Sequence, residues 1–461
     1  MSDAKSIAVL PFVDMSSARD QEYFADGLSE EILNALARVD GLHVAGRTSS
    51  FAFKGRNEDL RAIGQKLNVG TLLEGSVRKA GDRVRVTAQV IDIATGYHLW
   101  SETYDREVSD IFAVQDDIAR SVVTALKVKL VGERGPPSRQ ARATNPDAYN
   151  QYLVGRAAYA GGSMDGIARA VVAYQKAVAL DASYAPAWSG LAVALHYQAE
   201  DAADRAVRDA KRREAVEAAD RAVALDPELA EGYTARGYLK AIYRWDWAGA
   251  QADLDRAMAL APSDATVLRR YALLRSMIGR PEEAIGAARR AFEVDPMFGG
   301  NAHALASAYI ATGEYAAARA TLERARATNP SVEGTDAMIA LVTLLEGRAS
   351  EALDLIRRVR KPAEERAGGE AAALHALGRT AEAEEALARF TRAMADKHPA
   401  HVASLQAWFG RNDEAFLWLE RAYQARDFGL VDIRNDALLK PLRGDPRFAA
   451  LLRKMNLPAA S

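Results

Sequence analysis

His398 and His401 lie three positions apart, a spacing compatible with one metal ion. Pro399 and Ala400 between them cannot ligate, and no third ligand stands nearby, so the pair reads as part of a solvated loop. No metal and no cofactor are expected. A second constellation, Gly46-Arg-Thr-Ser-Ser-Phe-Ala-Phe-Lys54, follows a strand-like stretch. There Arg47, Ser49, Ser50 and Lys54 could grip an anion through charge-assisted hydrogen bonds. The alternative, which is favoured, is a strand-to-helix loop whose hydroxyls cap backbone groups while Phe51 and Phe53 enter the core. Arg244-Trp-Asp-Trp247 puts two large aromatic rings in a turn, which is either a binding hot spot or a braced turn with Asp246 as helix cap. The second reading is preferred. Arg205, Arg208, Lys211, Arg212 and Arg213 interleave with Asp201, Asp204, Asp209, Glu214 and Glu217, as on a solvated, salt-bridged helix face.

The usual catalytic signatures are missing. The sequence has no Gly-x-x-x-x-Gly-Lys-Ser/Thr, no Gly-x-Gly-x-x-Gly after a strand, no His-Glu-x-x-His and no Gly-x-Ser-x-Gly. Cys is absent, which excludes thiol catalysis, thiolate zinc sites and disulfides. The expectation is therefore that the chain is not an enzyme, with no catalytic residues.

These residues sit in a chain of 461, of which 49% are hydrophobic and 26% charged, a composition that excludes wholesale disorder. Lys and Arg number 60 against 62 Asp and Glu, so no net positive field favours nucleic acid, and no contact with it is expected. No apolar run approaches the roughly 18 residues that a membrane helix needs. The N-terminus lacks a signal peptide, which points to the cytoplasm as the chain is written. Ile7 already reads as a core strand, so the start is abrupt; a chain cut from a membrane-anchored parent would instead be periplasmic.

The elements that must position these residues fall into two regions. Up to about residue 131 strand-like and helix-like periods alternate. Ile7–Val13 is a short apolar run, and Glu22–Val39 carries Phe24, Leu28, Ile32, Leu33 and Leu36 at helical spacing. Leu42–Val44 reads as a strand and Leu60–Leu67 as a helix. Thr71–Arg78 and Arg83–Ile93 flank a turn, and Val84, Val86, Ala88 and Val90 alternate with polar neighbours, so one sheet face is buried and the other wet. Tyr97–Thr103 forms a further strand, and a helix over about Ile111–Leu130 closes the region. The order predicts an α+β sandwich of a mixed sheet and helices. A Gly- and Pro-bearing linker is expected over residues 132–144.

Beyond the linker the chain repeats itself. Pro227, Pro262, Pro296 and Pro330 recur at intervals of about 34 residues, each closing an Ala-rich helical stretch. Small residues such as Ala284, Ala288, Ala318 and Ala325 fall where two helices must approach to about 8–10 Å. Gly279, Gly313, Gly347, Gly378 and Gly410 mark the turns between paired helices. This is the signature of tetratricopeptide repeats, an all-α superhelix of about eight helix pairs over residues 145–434, with a C-terminal capping segment over 435–461.

The first region resembles the TolB amino-terminal-like domain that precedes tetratricopeptide repeats in bacterial signalling proteins. The resemblance rests on Ile7-Ala-Val-Leu-Pro-Phe12, Tyr23-Phe-Ala-Asp-Gly-Leu28, Arg47-Thr-Ser-Ser-Phe51, Leu73-Glu-Gly-Ser-Val-Arg78, Arg83-Val-Arg-Val-Thr-Ala-Gln89 and Leu99-Trp100 with Tyr104-Asp-Arg106. Pro441-Leu-Arg-Gly-Asp-Pro-Arg-Phe448 continues it to the end of the chain. It implies a neighbouring effector, such as a class III adenylyl cyclase, a protein kinase or a winged-helix regulator of the CadC-like kind. None of these is in the sequence. The expected function is a protein-binding scaffold or sensory module that holds a protein or peptide segment in the repeat groove. The alternative is the regulatory half of a cyclase or membrane-spanning regulator whose effector is elsewhere. By repeat position the groove includes Arg269, Leu273, Ser276, His303, Ser307 and Ile310, a plain solvated surface being the alternative. A homodimer is compatible with the sequence.

Overall fold

The computed structural model describes residues 6–17, 19–37, 39, 41–56, 58–107, 110–126, 143–160, 163–202, 204–330, 332–359 and 363–457. Most of the expected linker, residues 132–142, lies outside them, as do residues 458–461 of the capping segment.

The N-terminal region is a mixed sheet with helices. In chain order it comprises β1 (Ser6–Val9), β2 (Val13–Asp14), α1 (Glu22–Ala37), β3 (His43–Val44), α2 (Arg47–Phe51), α3 (Leu60–Leu67), β4 (Thr71–Ala80), β5 (Arg83–Asp92), β6 (His98–Glu107) and α4 (Ile111–Ala125). The sheet order is β3-β1-β4-β5-β6, with β2 also on β4. β1 runs parallel to β3 and β4, whereas β4, β5 and β6 form an antiparallel meander with Val77 opposite Val86 and Val86 opposite Tyr104. The expected alternation on β5 is present: Val84, Val86, Ala88 and Val90 are buried, while Arg83 and Arg85 are exposed and share Asp105 of β6. The single run Ile7–Val13 is broken into two strands at Leu10-Pro11-Phe12, because Pro cannot donate to a ladder. The stretch after β3, expected as a loop, contains the short helix α2.

The remainder is all-helical. α5 (Pro146–Ala160), α6 (Met164–Leu180), α7 (Ala185–Asp201), α8 (Arg205–Leu225) and α9 (Ala230–Leu239) are followed by a π-helical turn over Lys240–Arg244. Then come α10 (Trp247–Leu260), α11 (Ala265–Met277), α12 (Pro281–Val294), α13 (Gly299–Thr312), α14 (Tyr315–Thr328), α15 (Thr335–Leu345) and α16 (Ala349–Arg358). α17 (Ala363–Ala376), α18 (Thr380–Met394), α19 (Pro399–Trp408) and α20 (Asn412–Ala425) complete the paired helices. Two 3-10 turns, Phe428–Asp432 and Ala437–Leu442, lead to α21 (Pro446–Lys454).

The small-residue slots explain the packing. Ala284, Ala288, Ala318 and Ala325 are buried beside Leu305, Tyr309 and Leu322, so neighbouring helices meet without a side chain between their backbones. Gly313 closes α13 in the left-handed conformation, φ 81°, and its N–H bonds to the carbonyl of Ile310. A side chain there would strain the turn. The Asp that ends α6 has a second task that periodicity does not reveal. Asp181 is buried, and its carboxylate accepts from Ser183 N–H at 3.0 Å and from Thr144 N–H at 2.7 Å, tying the start of α5 to the end of α6.

The chain divides into two compact units. One comprises Met1–Leu239 with Ala252–Leu268, and the other Lys240–Gln251 with Arg269–Ser461. The α/β region and the first helices of the array thus belong to the same unit.

Candidate partner-binding face

In the second unit, the residues expected along the groove come from α11 and α13. Leu273 and Ser307 are half-buried. Arg269 is only 9% exposed and lays its guanidinium over the ring of Phe298, 5.1 Å from the centroid, while Phe298 itself is 38% exposed at the start of α13. His303 is half-buried and its Nε2 lies 2.9 Å from Thr335 Oγ1. Burial holds its pKa below the ordinary histidine value. Ile310 is turned into the core with Leu305 and Tyr309. Ser276 is buried as well; its carbonyl and Oγ both accept from Asn435 Nδ2, at 2.9 and 3.1 Å. The structure therefore leaves Leu273 and Ser307 partly open and withdraws Ser276 and Ile310.

What covers Ser276 is the chain's own C-terminal segment. Arg434 stands against Gly279, where a Cβ would lie 2.5 Å from its Nη1; the left-handed backbone there, φ 85°, is what favours glycine. Ala437 packs on the hydrophobic cluster built by α13, α14 and α15. Asp436 bonds Ser404 of α19. Asp432 accepts from Asn435 at 2.6 Å, and burial, reinforced by the negative charge of Asp436, pushes its carboxyl up to about 6. The same segment explains the aromatic turn. Asp246 accepts from Gly249 N–H at 2.9 Å, as a helix cap does, and Trp247 Nε1 donates to the carbonyl of Met455 at 2.7 Å. Trp245 packs against Tyr423 and under Arg426, whose guanidinium is 4.0 Å from the ring centroid. Both indoles are buried and brace the turn. Sequence spacing could not have found Asn435 or Arg434, since neither belongs to the repeat pattern; their contacts span 159 residues in the case of Asn435 and Ser276.

The stretch Arg47–Lys54 is placed differently from an open anion grip. Ser49 and Ser50 are fully buried, and both cations turn onto α1: Arg47 Nε to Glu30 at 2.8 Å, and Lys54 Nζ to Asp26 and Glu22 at 2.6 and 2.9 Å. Three α1 carboxylates supply the negative charge that an external anion would have brought. Phe53 enters the core, whereas Phe51 stays half-buried beneath the Arg47 guanidinium and Ser50 Oγ has no hydrogen-bond partner.

Glu30 has a second partner, Arg156 of α5, which also reaches Glu31 at 3.3 Å and the Tyr152 hydroxyl at 2.7 Å. Burial works to raise the Glu30 carboxyl, but Arg156 and Arg47 outweigh it, and Glu30 titrates below its ordinary value. Around this group, Gln115 Nε2 donates to Tyr149 OH at 2.8 Å, Phe24 meets Tyr149 edge-on, and Tyr152 meets Tyr184 edge-on at 5.2 Å. α1 and α4 of the α/β region are thereby fastened to α5. Nothing in the local pattern marks this pairing, because Glu30 and Arg156 look like ordinary surface charges in their helices.

The His398 and His401 rings meet at a tilt, 5.3 Å between centroids, and His398 Nδ1 lies 3.8 Å from Asp427. Asp427 Oδ2 accepts from Ala400 N–H at 2.8 Å and Oδ1 from Gly429 N–H at 3.0 Å, so this carboxylate joins α19 to the first 3-10 turn. Among the described residues no group of three or more potential ligands could hold a metal ion. The basic stretch of α8 is spent on neighbours, with Arg212 on Glu200 at 3.0 Å, Arg205 on Asp209 and Lys211 on Gln198. No helix among the described residues is long and apolar enough to cross a membrane.

Comparison with known proteins follows the same two regions. Residues 2–121 match the family described as HilA/YgeH-like transcriptional regulator, second domain, and residues 279–338 match the tetratricopeptide repeat family. A protein of Rhizobium meliloti (strain 1021) named "Putative adenylate cyclase 3" is 48% identical over 153 residues, 33% of this chain. The match spans about a quarter, 26%, of that protein's length. Among solved structures, PilW, a type IV pilus biogenesis factor, is 20% identical and aligns over 44% of this chain and 93% of its own, with a TM-score of 0.37. A tetratricopeptide repeat protein from Parabacteroides merdae is 16% identical over 54% of this chain and 98% of its own, with a TM-score of 0.39. The two family matches thus fall on the two regions in turn, the first on the α/β region and the second within the helical repeats.

Proposed function

We propose that this chain is a non-enzymatic protein-binding scaffold or sensory module of a bacterial signalling system, which holds a partner segment on the face formed by α11 and α13. The observation that carries this reading is the placing of part-exposed Phe298 beneath Arg269 at the start of α13, with Leu273 of α11 and Ser307 of α13 half-buried. Aromatic and arginine side chains at a partly desolvated centre are the groups that dominate binding energy in protein interfaces. Tetratricopeptide repeats stack so that such faces run continuously from one helix pair to the next. The test is selection of peptides from a displayed library on the full chain. Peptides so selected should bind Leu273→Glu and Ser307→Arg variants at least ten-fold more weakly, with unchanged melting temperatures. Equal binding to wild type and both variants would place the partner face elsewhere.

A second reading has one specific observation in its favour, the 48% identity to part of the Rhizobium meliloti protein. In it, the chain is the regulatory half of a class III adenylyl cyclase or of a winged-helix regulator, and the α/β region, read as TolB amino-terminal-like from its sequence blocks, relays what the repeats bind. A cyclase or winged-helix segment encoded in frame upstream of Met1 would support it. An unrelated gene or a stop codon immediately upstream would count against it. The cytoplasm fits the chain as written, and the periplasm fits a sensor half cut from a membrane-anchored regulator.

A further inference from the structure

The sheet of the α/β region ends in an open edge. β6 is 10 residues long and closes the strand order, and no strand of the described residues lies beyond it. Its pairing with β5 runs unbroken from Trp100 to Glu107, the one irregularity falling before that stretch. Ser101, Glu102, Thr103, Arg106 and Glu107 are exposed. Such a strand offers a row of unpaired N–H and C=O groups that another strand can complete.

The charges along β6 divide by face. On one face Asp105 stands opposite Arg85 and pairs with both Arg83 and Arg85. On the other, Glu102 stands opposite Ala88 and Arg106 opposite Val84, so β5 offers neither of them a counter-charge. Glu102 accepts from Tyr104 OH and Arg106 Nη1 donates to the Asp105 carbonyl, both at 3.1 Å, and among the described residues neither forms an ion pair. Four positions of extended strand separate the two, about 13 Å, too far for them to pair with each other. Tyr104 lies midway.

That arrangement is self-complementary. When a two-fold axis normal to the sheet relates two antiparallel strands, residues equidistant from the centre face each other with their side chains on the same face. Centred on Glu102, Asp105 or Arg106, the pairing would set a charge against its own copy. Centred on Thr103, it would set Glu102 against Tyr104 and Arg106 against Trp100, with no charge answered. Centred on Tyr104, it sets Glu102 of each copy against Arg106 of the other, and opposite charges placed so stabilise a strand pair where like charges weaken it. We propose that β6 is a self-association edge, through which two copies of this chain join as antiparallel strands centred on Tyr104 with two Glu102–Arg106 ion pairs across the axis. The proposal does not draw on the partner-face reading.

The experiment measures the mass of the full chain by size-exclusion chromatography with light scattering, over a series of concentrations at low salt. Wild type should pass from the mass of one chain to that of two as concentration rises. Glu102→Arg and Arg106→Glu each set like charges against one another and should weaken the dimer about ten-fold or more. The variant carrying both changes restores opposite charges and should dimerise as wild type does, an outcome that a merely damaged strand would not give. Because the sequence has no Cys, Thr103→Cys places a single thiol in each copy, beside the axis. A short bismaleimide should join two such chains, but not two chains carrying Leu417→Cys, a position 72% exposed on α20. The mass of one chain at every concentration, a dimer that both single reversals leave intact, a double reversal that fails to restore it, or equal cross-linking at the two positions would each overturn the proposal.

Discussion

Glu30 is the residue on which the first unit turns. Its carboxylate is buried between Arg47 and Arg156, and removing one member of such a group leaves the others charged and uncompensated. Glu30→Gln should therefore destabilise the protein by about 3 kcal/mol or more at pH 7, read as a lowered denaturation midpoint. The folded pKa lies below the ordinary 4.5. Its contribution is thus complete above 4.5 and is lost as pH falls through the lower folded value, so wild type should show an acid limb that the Gln variant lacks. Asp432 has the opposite sign. Its folded pKa is raised from 3.8 to about 6, so the folded state holds the proton more tightly. The stabilisation is present at pH 3 to 4 and is lost as pH rises through about 6. Asp432→Asn keeps an oxygen for Asn435 and removes the charge. It should raise the midpoint at pH 7.5 and change it little at pH 4; an unchanged midpoint at pH 7.5 would count against the buried carboxylate being a burden.

At the scale of the element, Ala318 shows how one slot fixes a pair of helices. It is fully buried between α13 and α14, in a cluster with Leu305 and Leu322. Ala318→Arg must force a long charged chain into that contact, and about 3 kcal/mol of destabilisation is expected from overpacking and an unpaired charge. Hydrogen exchange should localise the loss to α13–α15, and full protection there would contradict the packing account. Gly75 plays the same part in the sheet. A Cβ on it would meet the Thr87 carbonyl of β5 and the Phe12 ring, so Gly75→Ala should weaken the β4–β5 ladder by about 1–3 kcal/mol in thermal unfolding. These elements were legible in the sequence because their causes are local and periodic. Ala and Gly recur at the helix contacts, and the β5 alternation marks its buried face. The face of α11 and α13 was legible only in part. Leu273 and Ser307 follow from repeat position, but Ser276 is covered by Asn435 from a segment outside the period, and no local rule connects two residues so far apart in the chain. In the Arg47–Lys54 stretch the sequence shows cations beside hydroxyls but not their partners, the α1 carboxylates, which lie 17 and 28 positions away.

At the scale of the molecule, the boundary between the two folds is not a boundary between independent bodies. The sequence places a Gly- and Pro-bearing linker over residues 132–144, and such composition is a preferred site of proteolytic nicking. Yet α1 meets α5 through Glu30, Glu31 and Arg156, Phe24 meets Tyr149, and Gln115 of α4 bonds the same tyrosine. A cut between Gly132 and Arg142 breaks the chain without touching any of these contacts. The two fragments should therefore stay together on size-exclusion chromatography at pH 7 and elute as one species. They should separate when the ionic group is disabled, either in the Arg156→Leu variant or on acidification below the titration of Glu30, where its carboxylate is protonated and no longer neutralises the two guanidinium groups. Fragments that part at neutral pH in the wild-type protein would show that the tyrosine and carboxylate contacts are too weak to hold the α/β region on the array, and that the linker alone keeps them in one molecule.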